Sequence, residues 1–150
     1  MNANCEADRV RTVLSYELLG SDPEPGYDRI TRFGANLFKA PICLVSIIGD
    51  DIQWFKSWCG LDTCSRSRDL SFCAHTLDVE EPLVVLDVTR DERFKNNELV
   101  TGAPGIRYYA GAPIIVDGGI HLGASASSIL SLALYSARTR RRSLWSLLPW

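Results

Sequence analysis

The run Ser71-Phe72-Cys73-Ala74-His75 is the sharpest chemical signal in the sequence. A cysteine beside a histidine is the couple that makes a thiolate nucleophile, because the anion is the reactive form and a cationic neighbour favours it. The spacing works against that role. Residues two apart on a helix point to different faces, so Cys73 reads as a small buried apolar residue and His75 as the source of a structural hydrogen bond. Zinc could draw on the same residue types in Cys59, Cys64, Cys73 and His75. Structural zinc sites use two pairs of closely spaced ligands. Here four residues separate Cys59 from Cys64 and the second pair is Cys-x-His, a poor match, so no metal and no cofactor is assigned.

Paired carboxylates can act as acid and base, but Asp87, Asp91 and Glu92 sit with Arg93 in a charged stretch that reads as a solvated turn. The aromatic residues Trp54, Phe55, Trp58, Tyr108 and Tyr109 fall in apolar segments. Strand alternation predicts Trp54 and Trp58 on one face with Phe55 on the other, and Tyr108 and Tyr109 on opposite faces. Arg107 beside them reads as an exposed strand arginine rather than an anion contact.

The elements that must position these residues follow from periodicity. Glu6 to Leu19 is predicted as a helix with Val10, Val13, Leu14 and Leu18 on one face. Tyr27 to Lys39 is a second helix, with Tyr27, Ile30, Phe33, Leu37 and Phe38 as its expected buried side, stopped by Ala40-Pro41. Ile42 to Ile48 reads as a buried strand, Gly49-Asp50-Asp51 as a hairpin turn and Ile52 to Trp58 as the returning strand. Gly60 to Asp69 is polar and reads as a loop, Ser71 to Leu77 as a short helix, Leu83 to Leu86 as a short strand and Thr89 to Leu99 as a helical turn and loop. Ile106 to Val116 is a strand, turning at Asp117-Gly118-Gly119 into a partner that begins at Ile120. Helices first and antiparallel hairpins after define an α+β fold.

With these elements in order, three stretches carry a family resemblance: APICLVSIIGDDIQWFKSWCGLD, RDLSFCAHTL and PLVVLDVTRDERFKNNELVTGAPGIRYYAGAPI. They closely resemble bacterial GAF domains, the sensory modules in front of histidine kinases, diguanylate cyclases and similar outputs, from about Leu14 to Gly123. The resemblance implies an antiparallel sheet with helices on one side and loops cupping a pocket on the other. That pocket would be lined by residues near Trp54, Phe55, Phe72, Cys73, His75, Tyr108 and Tyr109. It implies a small-molecule ligand of unknown identity, a homodimer through the terminal helices and an output domain, kinase or cyclase, in a full-length relative. The Asn-Lys-Phe-Asp-Glu type signature of cyclic-nucleotide-binding members is missing. One enzyme branch of the superfamily reduces free methionine sulfoxide with several cysteines. Cys59, Cys64 and Cys73 invite that comparison, but the flanking motifs resemble the sensory branch, so binding without catalysis is the expectation.

After Gly123 the composition changes. Residues 124–150 contain no acid and four arginines, while all 18 acids lie before them. The family pattern expects LGSLCILD, a Pro-Arg turn and a helix at this place. Read one base out of frame with permissible codons, the tail from Gly123 encodes GSLCILDTEPRPILGADEAALSVVLAAM, which restores strand, turn and amphipathic helix. A frameshift near codon 122 or 123 is therefore the favoured account of the tail, and a basic amphipathic segment that binds a membrane or partner is the alternative. The expectation is a domain over residues 1–123, an atypical tail over 124–150, and a sheet lacking its last strand and final helix. The chain would then be a piece of a larger signalling protein or a non-functional fragment.

Composition bounds the rest. A 150-residue chain that is 46% apolar and 23% charged has room for one domain with a core. A net charge of −2 disfavours nucleic acid as a partner. No run reaches the roughly 18 apolar residues of a membrane span, and MNANCEADRVR lacks the apolar core of a secretion signal. Five cysteines in irregular spacing suggest free thiols and a cytoplasmic location.

Overall fold

The structure, a computed structural model, describes residues 3–129. Two helices come first, α1 (Ala3–Ser15) and α2 (Pro25–Phe38), followed by strands β1 (Ile42–Ile48), β2 (Ile52–Cys59) and β3 (Ser65–Ser67). Two 3-10 turns at Arg68–Leu70 and Cys73–Asp78 lead into β4 (Leu83–Val85), the short helix α3 (Glu98–Thr101), β5 (Tyr108–Val116) and β6 (Ile120–Ile129). The strands form one antiparallel sheet in the order β3-β2-β1-β6-β5-β4. This is the expected α+β architecture. The polar segment read as a loop contributes the edge strand β3.

The sheet separates two apolar layers. On one face Val13 of α1 packs with Ile47 and Leu122, and Phe38 packs with Ala40, Tyr108 and Ala110. On the other, Ile42, Leu44, Phe55, Tyr109, Ala124 and Ala126 meet Phe72, Cys73, Phe94 and Ile106. Local alternation decides these sides except at two bulges, one of them in β6, where Ile114 opposes Gly123 and Ile115 opposes His121 so that Leu122 is extra, and the other in β2. Val45 opposes Ser57 while Ser46 opposes Phe55, so Lys56 is an extra residue in β2. A β-bulge of this kind shifts the side-chain phase. Trp58 therefore joins the layer of Phe55, with ring centroids 6.4 Å apart, and the expected sharing of one face by Trp54 and Trp58 is corrected. The bulge also turns Lys56 into the helix layer. Its side chain is 1% exposed beside Glu24. Its ammonium donates to Ser21 Oγ and to the Asp22 carbonyl, each at 2.7 Å, fastening the α1–α2 linker.

Helix α2 turns a different side inward from the one its apolar spacing predicts. Thr31 is buried, bonded to Ser57 at 2.7 Å, and Ser57 donates to Asp28 at 2.7 Å. A side chain at Gly34 would come within 2.9 Å of Cys43 Sγ, so backbone approach fixes the rotation. Tyr27, Thr31, Gly34 and Phe38 face the sheet, and Ile30 and Phe33 are left 53% and 61% exposed.

The strand anticipated as missing is present. β6 lies between β1 and β5, with Leu44 opposite Ala126 and Tyr109 opposite Ser128. Ladder hydrogen bonds depend on the backbone, and the Ala and Ser residues after Gly123 are small enough for the slot. The expected final helix falls beyond residue 129, outside the described residues.

Helix α1 is tied to the sheet by a buried ionic network. Arg9, 3% exposed, donates to the carbonyls of Ile48, Gly49 and His121 and pairs with Glu6. Arg68 also reaches Glu6, at 2.6 Å. Hydrogen bonding from Arg9, followed by that from Arg68, outweighs burial and holds the Glu6 carboxyl down at about 2. A depressed folded-state value adds stability above the usual carboxylate range that is lost as pH falls through it. The melting temperature is therefore expected to fall between about pH 4.5 and pH 2. Glu6→Gln should lower it at pH 7 and flatten that acid limb, as thermal unfolding across pH would read.

Candidate functional site: a buried cavity under the sheet

β1, β2, β5 and β6 present the floor of a cavity, and residues 61–106 close over it. Ile42 and Leu44 come from β1, Gln53 and Phe55 from β2, Tyr109 from β5, and Ala126 and Ser128 from β6, with Arg66 at the β3 edge. Leu61, Phe72, Cys73, Leu99 and Ile106 complete the wall. The free space is about 40 Å³, little more than one water's share of liquid volume, about 30 Å³. Aromatic packing explains how small it is. Phe72 stacks on Phe94 at 4.4 Å and 11°, Tyr109 lies 5.3 Å from Phe72, and His75 meets Phe94 edge-on at 4.8 Å.

The closing segment is held by local polar contacts. The Asn97 side chain caps α3 by accepting from the Leu99 N–H at 2.9 Å and donates to the Leu70 carbonyl at 3.1 Å. Arg107 donates to the Val100 carbonyl at 2.9 Å. Asp91 takes Arg93 through both carboxylate oxygens, at 2.8 and 2.6 Å, and the Arg93 guanidinium lies over the Phe94 ring. The charged cluster at 87–93 thus organises the loop that carries Phe94.

Cys73 and Tyr109 add two more polar groups to a wall that already holds Gln53, Arg66 and Ser128. Cys73 is 2% exposed, and burial pushes its thiol up, against smaller opposing effects of hydrogen bonding with Ser46, Tyr109 and Gln53. The Tyr109 hydroxyl is enclosed without a conventional hydrogen-bond partner and lies against that thiol; burial first, then Cys73, raises its pKa well above the usual value. Both groups remain protonated at neutral pH. His75 is half-buried, and burial, reinforced by Arg93, lowers its pKa, so the imidazole is neutral at pH 7. A protonated thiol and a ring engaged with Phe94 do not form a nucleophile–base couple.

Of the residues expected around a pocket, the structure brings Phe55, Phe72, Cys73 and Tyr109 to the cavity. His75 supports Phe94 from behind. Trp54 and Tyr108 belong to the other face, Trp54 opposite Ile47 and Tyr108 packed with Ala40. Trp54 Nε1 is enclosed there without a partner among the described residues. Cys59, Cys64, Cys73 and His75 are not gathered, and among the described residues no group of three or more His, Cys, Asp or Glu could hold a metal ion. Sequence reasoning missed Gln53, Arg66 and Phe94. Alternation from Phe55 points to Gln53, and Phe94 is the one aromatic residue in the charged 89–99 segment.

A sheet with helices on one face and an aromatic-walled cavity on the other defines a small α+β domain. The GAF domain family model matches residues 22–125, and the chain belongs to that family. A cyclic di-GMP phosphodiesterase of Pseudomonas aeruginosa is 37% identical over 119 residues, which are 79% of this chain and 20% of that protein. The chain thus spans about a fifth of its relative. Among solved structures, the GAF domain of a phosphoenolpyruvate-protein phosphotransferase from Coxiella burnetii aligns with a TM-score of 0.58 at 16% identity, over 88% of this chain and 82% of that one. The free methionine-R-sulfoxide reductase of Neisseria meningitidis, solved with its substrate, aligns with a TM-score of 0.58 at 12% identity, over 89% and 79%. At such identities these likenesses show the fold. Among the described residues no helix is long and apolar enough to cross a membrane.

Proposed function

We propose that this chain is a sensory module that binds a small molecule in the cavity under the sheet and passes occupancy to an attached output domain. The observation that carries the reading is the cavity, walled mostly by apolar side chains with Gln53, Arg66 and Ser128 among them. The likeness to a cyclic di-GMP phosphodiesterase supports an output in cyclic di-GMP signalling, with the GAF region a minor part of the full protein. Occupancy would act by favouring one of two arrangements of the 72–106 layer and the helices across the sheet. Exposed Ile30 and Phe33 on α2 support pairing of two copies through their helices.

The test is a thermal-shift screen of small metabolites against the chain and against Leu99→Trp, which fills the cavity from α3. Binding compounds are expected to raise the melting temperature of the wild type and not of the variant. Shifts of equal size in both would place binding elsewhere. The enzyme reading, reduction of free methionine sulfoxide, is opposed by the enclosed, protonated Cys73 thiol. No turnover is expected; turnover that disappears in Cys73→Ala would replace the sensory reading.

A further inference from the structure

Arg66 is out of keeping with the other arginines. Among the described residues, Arg9, Arg68 and Arg107 are likewise withdrawn from full exposure, and each is bonded to a carboxylate or to backbone carbonyls. Arg66 is half-buried, less so than Arg9, and among the described residues its side chain has neither an ion pair nor a hydrogen bond. Burial alone lowers its pKa, so the guanidinium loses water with nothing in return. Its place explains what is missing. β3 sets Arg66 directly opposite Gln53, and both line the cavity. Among the described residues no Asp or Glu lines it, which leaves Arg66 as the single charge they bring to the wall.

We infer that the ligand is a small organic carboxylate, its anionic end held by Arg66 and its short apolar end among Phe55, Phe72 and Ile106. This rests on the sensory reading of the same cavity. An unpaired guanidinium presents a planar fork of N–H donors matched to a carboxylate. Gln53 adds an amide on the same side. The apolar remainder of the wall excludes an anion that is polar all round, such as free phosphate. The free space of about 40 Å³ limits the apolar part to a few carbons, since a dry cavity of about 150 Å³ is what takes up benzene.

The experiment titrates propionate and its uncharged analogue propionamide into the chain, followed by amide NMR shifts of the sheet, in the wild type, Arg66→Gln and Arg66→Lys. Arg66 lies on an edge strand with no bond to lose, so the variants are expected to melt as the wild type does. Propionate should bind the wild type at least about tenfold more tightly than Arg66→Gln does, the worth of one charge-assisted pair. Arg66→Lys should retain part of that affinity, and propionamide should bind the wild type no better than propionate binds Arg66→Gln. Equal propionate affinity in the wild type and Arg66→Gln, or equal affinity of the wild type for acid and amide, overturns the role of Arg66 while leaving the cavity as a binding site. No saturable shift with either probe overturns the carboxylate assignment, and the metabolite screen then decides separately whether the cavity binds anything.

Discussion

Gly123→Ala is expected to cost about 3 kcal/mol or more, an overpacking penalty at the upper end of the usual range. For a domain of this size that lowers the melting temperature by roughly 10 °C. A Cβ at Gly123 would lie 2.0 Å from the Ser46 carbonyl oxygen and 2.9 Å from Ile47 Cα. Both atoms are backbone in β1, the neighbouring central strand, and cannot swing aside as a side-chain tip would. Relief requires β6 to move away from β1, which breaks ladder hydrogen bonds on both sides of β6. Gly118→Ala is the control. Gly118 has φ +83 and open space around it, so that variant carries only the left-handed strain of about 1–2 kcal/mol. Thermal unfolding of both separates the effects. A Gly123→Ala protein that melts like Gly118→Ala would mean that β6 does not run so close to β1.

Phe94→Ala should destabilise the domain by about 3–5 kcal/mol, the usual cost of removing a buried phenyl ring. Phe94 is 1% exposed and touches Phe72, His75 and Tyr109, so three rings lose a partner at once. The vacated space adjoins the cavity and is walled by apolar atoms. It should therefore take up a small aromatic molecule and recover part of the loss by mass action. Adding benzene to saturation is expected to raise the melting temperature of Phe94→Ala and leave the wild type unchanged. A loss below about 1 kcal/mol with no response to benzene would remove Phe94 from the ring cluster and show a layer that collapses freely. Tyr109→Phe gives a contrast, since deleting a hydroxyl without a conventional partner is nearly neutral.

Much of this fold is legible in local sequence. Ile42–Ile48 is β-branched and continuous, and forms a central strand buried along its whole length. Gly49-Asp50-Asp51 turns it into β2. Alternation alone sends Tyr108 and Tyr109 to opposite faces, and the Ser71–His75 run forms the turn that seals the cavity with Phe72 and Cys73. Other features are decided by partners distant in the chain. Periodicity shows that α2 has an apolar side but not that Thr31, Asp28 and Gly34 dock against Ser57 and Cys43 instead. The bulge at Lys56 exists only in the pairing of β2 with β1, so no count along β2 alone could place Trp54 and Trp58 on different faces. The small residues after Gly123 read as foreign because composition reports side chains, whereas a central strand is held by backbone bonds that Ala and Ser supply as well as larger residues do. The cavity gathers Gln53, Arg66, Tyr109 and Ser128 from four strands. The sequence by itself determined which segments become strands and which residues could carry chemistry. Tertiary packing decided which of them meet, because burial and desolvation are properties of neighbours brought together by the sheet.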